Sequence, residues 1–470
     1  MSSIAERIAG LSEEKRQLLE LLRQENRDES SSARKPSLDV DTTVSAQPSQ
    51  AFCLISDVDR QHLPEDVEDA YPLTMLQAGM LYHMEETPEY PLYHNVDSYN
   101  LEGELDHATM QDTMNRVVAR HPVLRTSFAL KDYSEPLQLV HRTATLPVTI
   151  DDLRHLPAPE QDKMVNAYVE KEKRLRFDLA HPPLLRFHIH RRTADTFQFT
   201  LTECHPILDG WSLNSTLAEI FTLYFTLLKK QPVPAAPLLS TSFRDYVILE
   251  RKALESDEFK QYWTQALSDS SMMELPRWPA SHRIEGDRPV VGLRVPIAQQ
   301  LLEDLKQFAQ SIAMPLKSVL LAAHMKVMSA LGGQDDVITG LATQGRPETA
   351  GGAEIRGLFL NIVPYRLNLS DGSWVDLVRE AFEVERDLLP YRRYPLASIQ
   401  KNMGGRPLFE TAFNMVRFHI YLDLLESDNK LEMVGTGQEL EENNFTLMTN
   451  FGMHPSGSLN IIQANSAMSR

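Results

Sequence analysis

Residues 200–212 read TLTECHPILDGWS. Residues 196–204 predict a strand that runs into His205, and three residues later comes Asp209-Gly210. Imidazole near neutrality accepts or donates a proton. A carboxylate four positions on, at a tight turn, can orient that ring or anchor the loop. Gly210 permits a backbone conformation that a Cβ forbids. A bare H-x-x-x-D-G is short, and alone it fits a structural histidine as well as a proton-handling one. One His and one Asp leave a coordination shell unfilled, so no metal is assigned here.

Working outward, LLRFHIH (184–190) alternates Leu185, Phe187 and Ile189 with Arg186, His188 and His190, which predicts a second strand. His83, His121, His188, His190, His324 and His419 read as core or surface groups. Residues 213–230 predict a helix and 92–101 a strand. Asp106 caps a helix carrying Met110, Met114, Val117 and Val118, which stops at Arg120-His121-Pro122 because proline disfavours helix just before itself. From Tyr71, YPLTMLQAGMLYHM spaces Leu73, Leu76, Met80, Leu81 and Met84 as a helix face.

A proline-rich joint, QPVPAAPLLS (231–240), divides the chain. Beyond it, Leu316 to Leu331 repeats at helical spacing, and strands are expected near 337–343, 357–368 and 409–418. Helices and strands mix in both halves, so the class is α+β, an α/β sandwich, with lobes at 66–235 and 236–470. Residues 1–28 hold a short amphipathic helix that either packs on the body or serves as an inter-module or docking element. Residues 29–65 are poor in large apolar groups and are expected to be a flexible linker.

The chain has 470 residues, 42% hydrophobic and 24% charged, as in ordinary globular proteins. Its formal charge of −18 (47 basic, 65 acidic) argues against nucleic acid and against an anionic membrane surface. Cys53 and Cys204 are its two cysteines, too few for a disulfide framework. A reducing, cytoplasmic setting is therefore expected. The first twenty residues contain no apolar signal core.

CHPILDGWS resembles the HHxxxDGWS signature of nonribosomal peptide synthetase condensation domains, with the second histidine at His205. Other segments resemble further family motifs in order: YPLTMLQAGMLYH (71–83), RHPVLRTSF (120–128), RFDLAHPPLLRF (176–187) and SFRDYV (242–247). They continue through GLATQGRPE (340–348), IRGLFLNIVP (355–364), YPLASIQ (394–400) and RPLFETAFNMVRFH (406–419). The resemblance covers about residues 66–470.

It implies two chloramphenicol acetyltransferase-like lobes in a V around a central tunnel. Phosphopantetheine arms of donor and acceptor peptidyl carrier proteins would enter the two mouths. No cofactor would bind directly, and an adenylation domain or further synthetase modules would lie adjacent. An amide would form between acyl donor and aminoacyl acceptor. His205 would be catalytic, either taking the amine proton or hydrogen-bonding the tetrahedral intermediate. Asp209 would pair with Arg346, and the Gly210 backbone would lie beside the thioester. Cys204, Trp211, Ser212 and Arg346 would support the site.

Cys204 stands where the signature has its first histidine. Strand parity turns it away from His205, as a small buried thiol. The change keeps open a second reading, a non-catalytic binding or gating module of the same fold. The family's long final helix would begin where the chain stops at Arg470, so the chain is expected to be a fragment or truncated copy with an apolar patch uncovered.

Overall fold

The computed structural model describes residues 49–86, 92–233, 239, 241–277, 291–349, 351–369, 372–417, 432–433, 445–453 and 459–465. The expected opening helix, most of the joint at 231–240, His419 and the chain end after 465 lie outside them.

The order begins α1 (Asp57–Gln61), β1 (Val67–Pro72), α2 (Met75–Glu86), β2 (His94–Glu102) and α3 (His107–Arg120). Next come β3 (Thr126–Ala129), β4 (Leu137–His141), β5 (Val148–Asp152), α4 (Ala158–Glu172), β6 (Leu185–Arg191), β7 (Thr196–Cys204) and α5 (Gly210–Leu228). The second half opens with α6 (Phe243–Glu255), α7 (Asp257–Ala266), β8 (Val291–Pro296), α8 (Gln299–Ser311) and α9 (Leu316–Gly332). It continues with β9 (Asp336–Gln344), β10 (Leu360–Asn368), α10 (Trp374–Leu388) and α11 (Leu396–Asn402). Last come β11 (Thr411–Arg417), β12 (Glu432–Met433), β13 (Leu447–Met453) and β14 (Leu459–Asn465).

Four strands of the first half, joined by β12, build a five-stranded sheet, β12-β2-β7-β6-β5, and three more build a small sheet, β1-β4-β3. The second half builds a six-stranded sheet, β10-β9-β11-β13-β14-β8. The main core of the first half joins Met110, Met114 and Val117 of α3 to Phe197, Phe199 and Leu201 of β7 and Phe221, Tyr224 and Phe225 of α5. α3 starts as its cap residue dictates, with Asp106 accepting the Thr109 N–H at 2.8 Å.

Three expectations are corrected. Tyr71 and Pro72 close β1 rather than open a helix. α2 begins only at Met75, where Thr74 Oγ1 accepts the Gln77 N–H at 3.2 Å and Glu250 accepts the Met75 N–H at 2.8 Å. Residues 49–65, expected in a linker, are fastened to the body. The Phe52 N–H donates to Asp69 at 2.9 Å, the Ser134 N–H to Asp59 at 2.9 Å, and Phe52, Ile55 and Leu63 pack on Val67 and Leu137. Four of the few apolar residues of that segment, Phe52, Leu54, Ile55 and Leu63, pack on a buried cluster, while Val58 stays exposed.

The sheets do not follow a single cut in sequence. β12 lies in the second half yet pairs with β2, Glu432 opposite Glu102 and Met433 opposite Leu101, covering one end of that sheet edge. No helix among the described residues is long and apolar enough to cross a membrane.

Glu250 gives a prediction of its own. Burial raises its carboxyl from 4.5 to about 7. Between those values the folded chain holds a proton that the unfolded chain releases, so this group's contribution falls as pH rises through that window. Glu250→Gln keeps the acceptor for Met75 and cannot ionise. Its melting temperature should exceed that of the parent at pH 8 and match it near pH 4; an equal difference at both pH values would remove Glu250 as the cause.

Candidate active site

β7 delivers His205 to a single 3₁₀ turn, His205–Ile207, and α5 starts five residues later. The backbone on both sides is fixed, with the His205 N–H donating to Tyr93 O at 2.9 Å and the Asp209 N–H to Gly357 O at 3.0 Å. From α2, Gln77 donates to Pro206 O at 2.9 Å and to Gln138 Oε1 at 2.7 Å. A buried amide in the apolar face of α2 therefore serves as a strut for the turn.

Asp209 is the N-cap of α5, and its Oδ1 accepts the Ser212 N–H at 2.7 Å. The same carboxylate meets Arg346 Nη2 at 3.1 Å and accepts the Phe359 N–H at 3.0 Å. Both ions of this pair are buried. Arg346 also donates to Ser212 Oγ at 2.6 Å and to Ile355 O at 2.5 Å, and its guanidinium lies 4.0 Å from the centre of the Phe359 ring. Burial pulls its pKa below the usual arginine value. Ser212 Oγ donates to Gly357 O at 2.8 Å and accepts the Gly357 N–H at 3.0 Å. Trp211 Nε1–H reaches Ala353 O at 3.4 Å. Besides its local bonds within α5, the loop from 209 to 212 is thus clamped by residues 346–359 of the other half.

Gly357 leaves room for this contact: a Cβ there would stand 2.3 Å from the Phe243 ring. Gly210 corrects an expectation. It has no positive φ, and beyond its chain neighbours and the backbone of its own helix no described atom lies within 4 Å of where its Cβ would sit. Its backbone needs no glycine; what the glycine leaves is open space above the helix start.

Cys204 is fully buried among apolar neighbours, on the side of β7 away from His205, and burial raises its thiol well above the ordinary range. A protonated thiol in the core is no nucleophile. Parity that turns Cys204 inward puts Glu203 on the side of His205. The Glu203 carboxylate, itself buried, stands 3.3 Å from His205 Nδ1 and is held by Asn95 Nδ2–H at 2.9 Å. Sequence reading missed Glu203, although the alternation applied to Cys204 would have found it.

The other motif segments are braces. His121 and Arg120 both meet Glu219 of α5 at 2.7 Å, and Arg356 approaches it at 3.5 Å. Arg244 pairs with Asp69, tying α6 to β1. A cleft of about 550 Å³ in the first half is lined by Met84, His94, Phe128, Arg176 and Phe177 among others, and His205 is not one of its walls.

A family model for the condensation domain matches residues 67–459. The chain belongs to the condensation-domain family. Such domains are amide-forming acyltransferases, and this one is similar to parts of nonribosomal peptide synthetases. It is 35% identical over 379 residues to the AMB antimetabolite synthetase AmbE of Pseudomonas aeruginosa, covering 80% of this chain and 18% of that one. It is 24% identical over 384 residues to bacitracin synthase 3 of Bacillus licheniformis, covering 80% of this chain and 6% of that one. The condensation domain thus spans less than a fifth of these curated relatives.

Among solved structures, the first condensation domain of the calcium-dependent antibiotic synthetase superposes with a TM-score of 0.69 at 18% identity, over 84% of this chain and 90% of that one. The condensation domain of the monacolin K polyketide synthase MokA gives 0.71 at 16% identity, over 86% and 93%. The α+β, chloramphenicol acetyltransferase-like fold is therefore shared with both.

Proposed function

We propose that this condensation domain joins a carrier-bound acyl or peptidyl thioester to a carrier-bound aminoacyl group, with His205 at the reaction centre. The observation that carries the reading is a buried imidazole at the end of β7, in a loop clamped from both halves of the chain. The acceptor amine attacks the thioester carbonyl, a C–N bond forms and the C–S bond breaks. The phosphopantetheine thiol leaves, and the amine sheds a proton. Two tethered reactants held in line lose most of the entropic barrier, a term of up to ~7–11 kcal/mol.

Glu203 bears on which role His205 takes. A carboxylate at Nδ1 accepts the proton there and places the lone pair on Nε2. It also stabilises the imidazolium that forms when Nε2 takes the amine proton. The geometry therefore favours proton acceptance over a purely hydrogen-bonding role. Asp209, Ser212, Trp211 and Arg346 hold the loop, and the open space at Gly210 suits close approach of the thioester.

The phosphopantetheine arms belong to carrier proteins, so the partners in this reading are donor and acceptor carriers with adjoining adenylation and synthetase modules, working in the cytoplasm. A single-turnover assay with loaded donor and acceptor carriers tests it. Amide product on the acceptor carrier supports the reading; no product with two competent carriers would favour a gating module.

Glu203→Gln should separate positioning from packing. Removing the negative charge withdraws the acceptor that places the Nε2 lone pair, so single-turnover product formation should fall roughly tenfold with an unchanged melting curve. Parental turnover in a normally folded variant would exclude Glu203 from the chemistry.

A further inference from the structure

We infer that Asp151, His188 and His190 form a zinc site on the edge of the five-stranded sheet, separate from the reaction centre. β5 and β6 run parallel, pairing Asp151 with His190 and Thr149 with His188. Side chains alternate along a strand, so all four stand on one face. Asp151 offers a carboxylate oxygen, and the two rings offer one nitrogen each, all within 4.8 Å of one another.

Two further observations point to a cation. His188 Nε2 and His190 Nδ1 are both buried and make no hydrogen bond. His188 Nε2 lies 3.2 Å from Asp151 Oδ2, within ion-pair distance, and His190 Nδ1 beside them has no hydrogen-bond partner. A cation among the three would take the carboxylate and both ring nitrogens as ligands. Two ligands of a tetrahedral zinc ion lie about 3.4 Å apart, which matches that approach.

The second observation is the support behind the rings. His188 Nδ1 is 2.7 Å from Thr149 Oγ1, which fixes the ring and leaves Nε2 as the coordinating atom. Tyr168 of α4 stacks on His188 at 4.1 Å and meets His190 edge-on at 5.1 Å.

Two imidazoles and one carboxylate suit zinc among the common divalent ions and leave the fourth position to water on the exposed Asp151 side. An ion here would pin β5, the last strand in the sheet, to β6.

The test uses the whole chain, stripped with a chelator and titrated with zinc chloride by calorimetry, with thermal unfolding in parallel. One equivalent should bind and raise the melting temperature. Asp151 is exposed, so Asp151→Asn should fold normally yet bind at least tenfold more weakly, and Thr149→Val should lose roughly 10–100-fold. His190→Ala should abolish binding, whereas the exposed His181→Ala should leave it intact. Cobalt in place of zinc should give the absorption of a tetrahedral site. Zinc bound with parental affinity by Asp151→Asn and Thr149→Val, or only non-stoichiometric binding to the parent, would overturn the site.

Discussion

Replacing His205 with alanine is expected to lower amide formation by roughly 10²–10⁴-fold, the range for losing a general base. In barrier terms that is about 2.7–5.5 kcal/mol. The fold should survive, because the links that hold the turn are made by backbone atoms: the His205 N–H to Tyr93 O and the Pro206 carbonyl to Gln77. The measurement is single-turnover product formation with both carriers loaded, beside a melting curve. Near-parental turnover with an unchanged melting curve would take His205 out of the mechanism and leave the site as a positioning device alone.

Asp209→Ala should be the most damaging change to stability. It strands the Arg346 guanidinium, whose Nε already makes no hydrogen bond, and removes the acceptor for Phe359 N–H and the cap of α5. Breaking a buried pair by removing one partner typically costs ~3–5 kcal/mol. Denaturant unfolding measures the cost, and Asp209→Asn, which keeps an oxygen for the cap, should recover part of it. A loss of under ~1 kcal/mol in the alanine variant would mean that Ser212 and Ile355 satisfy Arg346 without the carboxylate.

What could be read in the sequence followed the physics of each feature. α3 was legible because its cap, apolar spacing and stopping proline are all local. β6 and β7 were legible because alternation survives in a sheet with one face on the core. The Asp209–Arg346 pair came from family resemblance, since no local pattern links residues 137 positions apart. β1 was hidden because Tyr71 and Pro72 run directly into a helical spacing. Gln77 looked like one polar residue in an apolar face, and its role needs β4 and the 205–207 turn present together. His188 and His190 were placed on one face correctly, but what matters about them is Asp151, which arrives on a different strand.

The way residues 209–212 are held bears on how such domains can be recombined. Across the divide, Asp209, Trp211 and Ser212 meet Arg346, Ala353, Gly357 and Phe359 of the second half. A chimaera spliced at the proline-rich joint would therefore inherit its His205 turn from one parent and the clamp from another. Matching the carboxylate to the guanidinium would not suffice, since Ser212 reads the Gly357 backbone and the Phe243 ring leaves that backbone no room for a larger residue. Successful exchanges should carry 200–212 and 345–359 together as one graft, even though more than a hundred residues separate them in the gene.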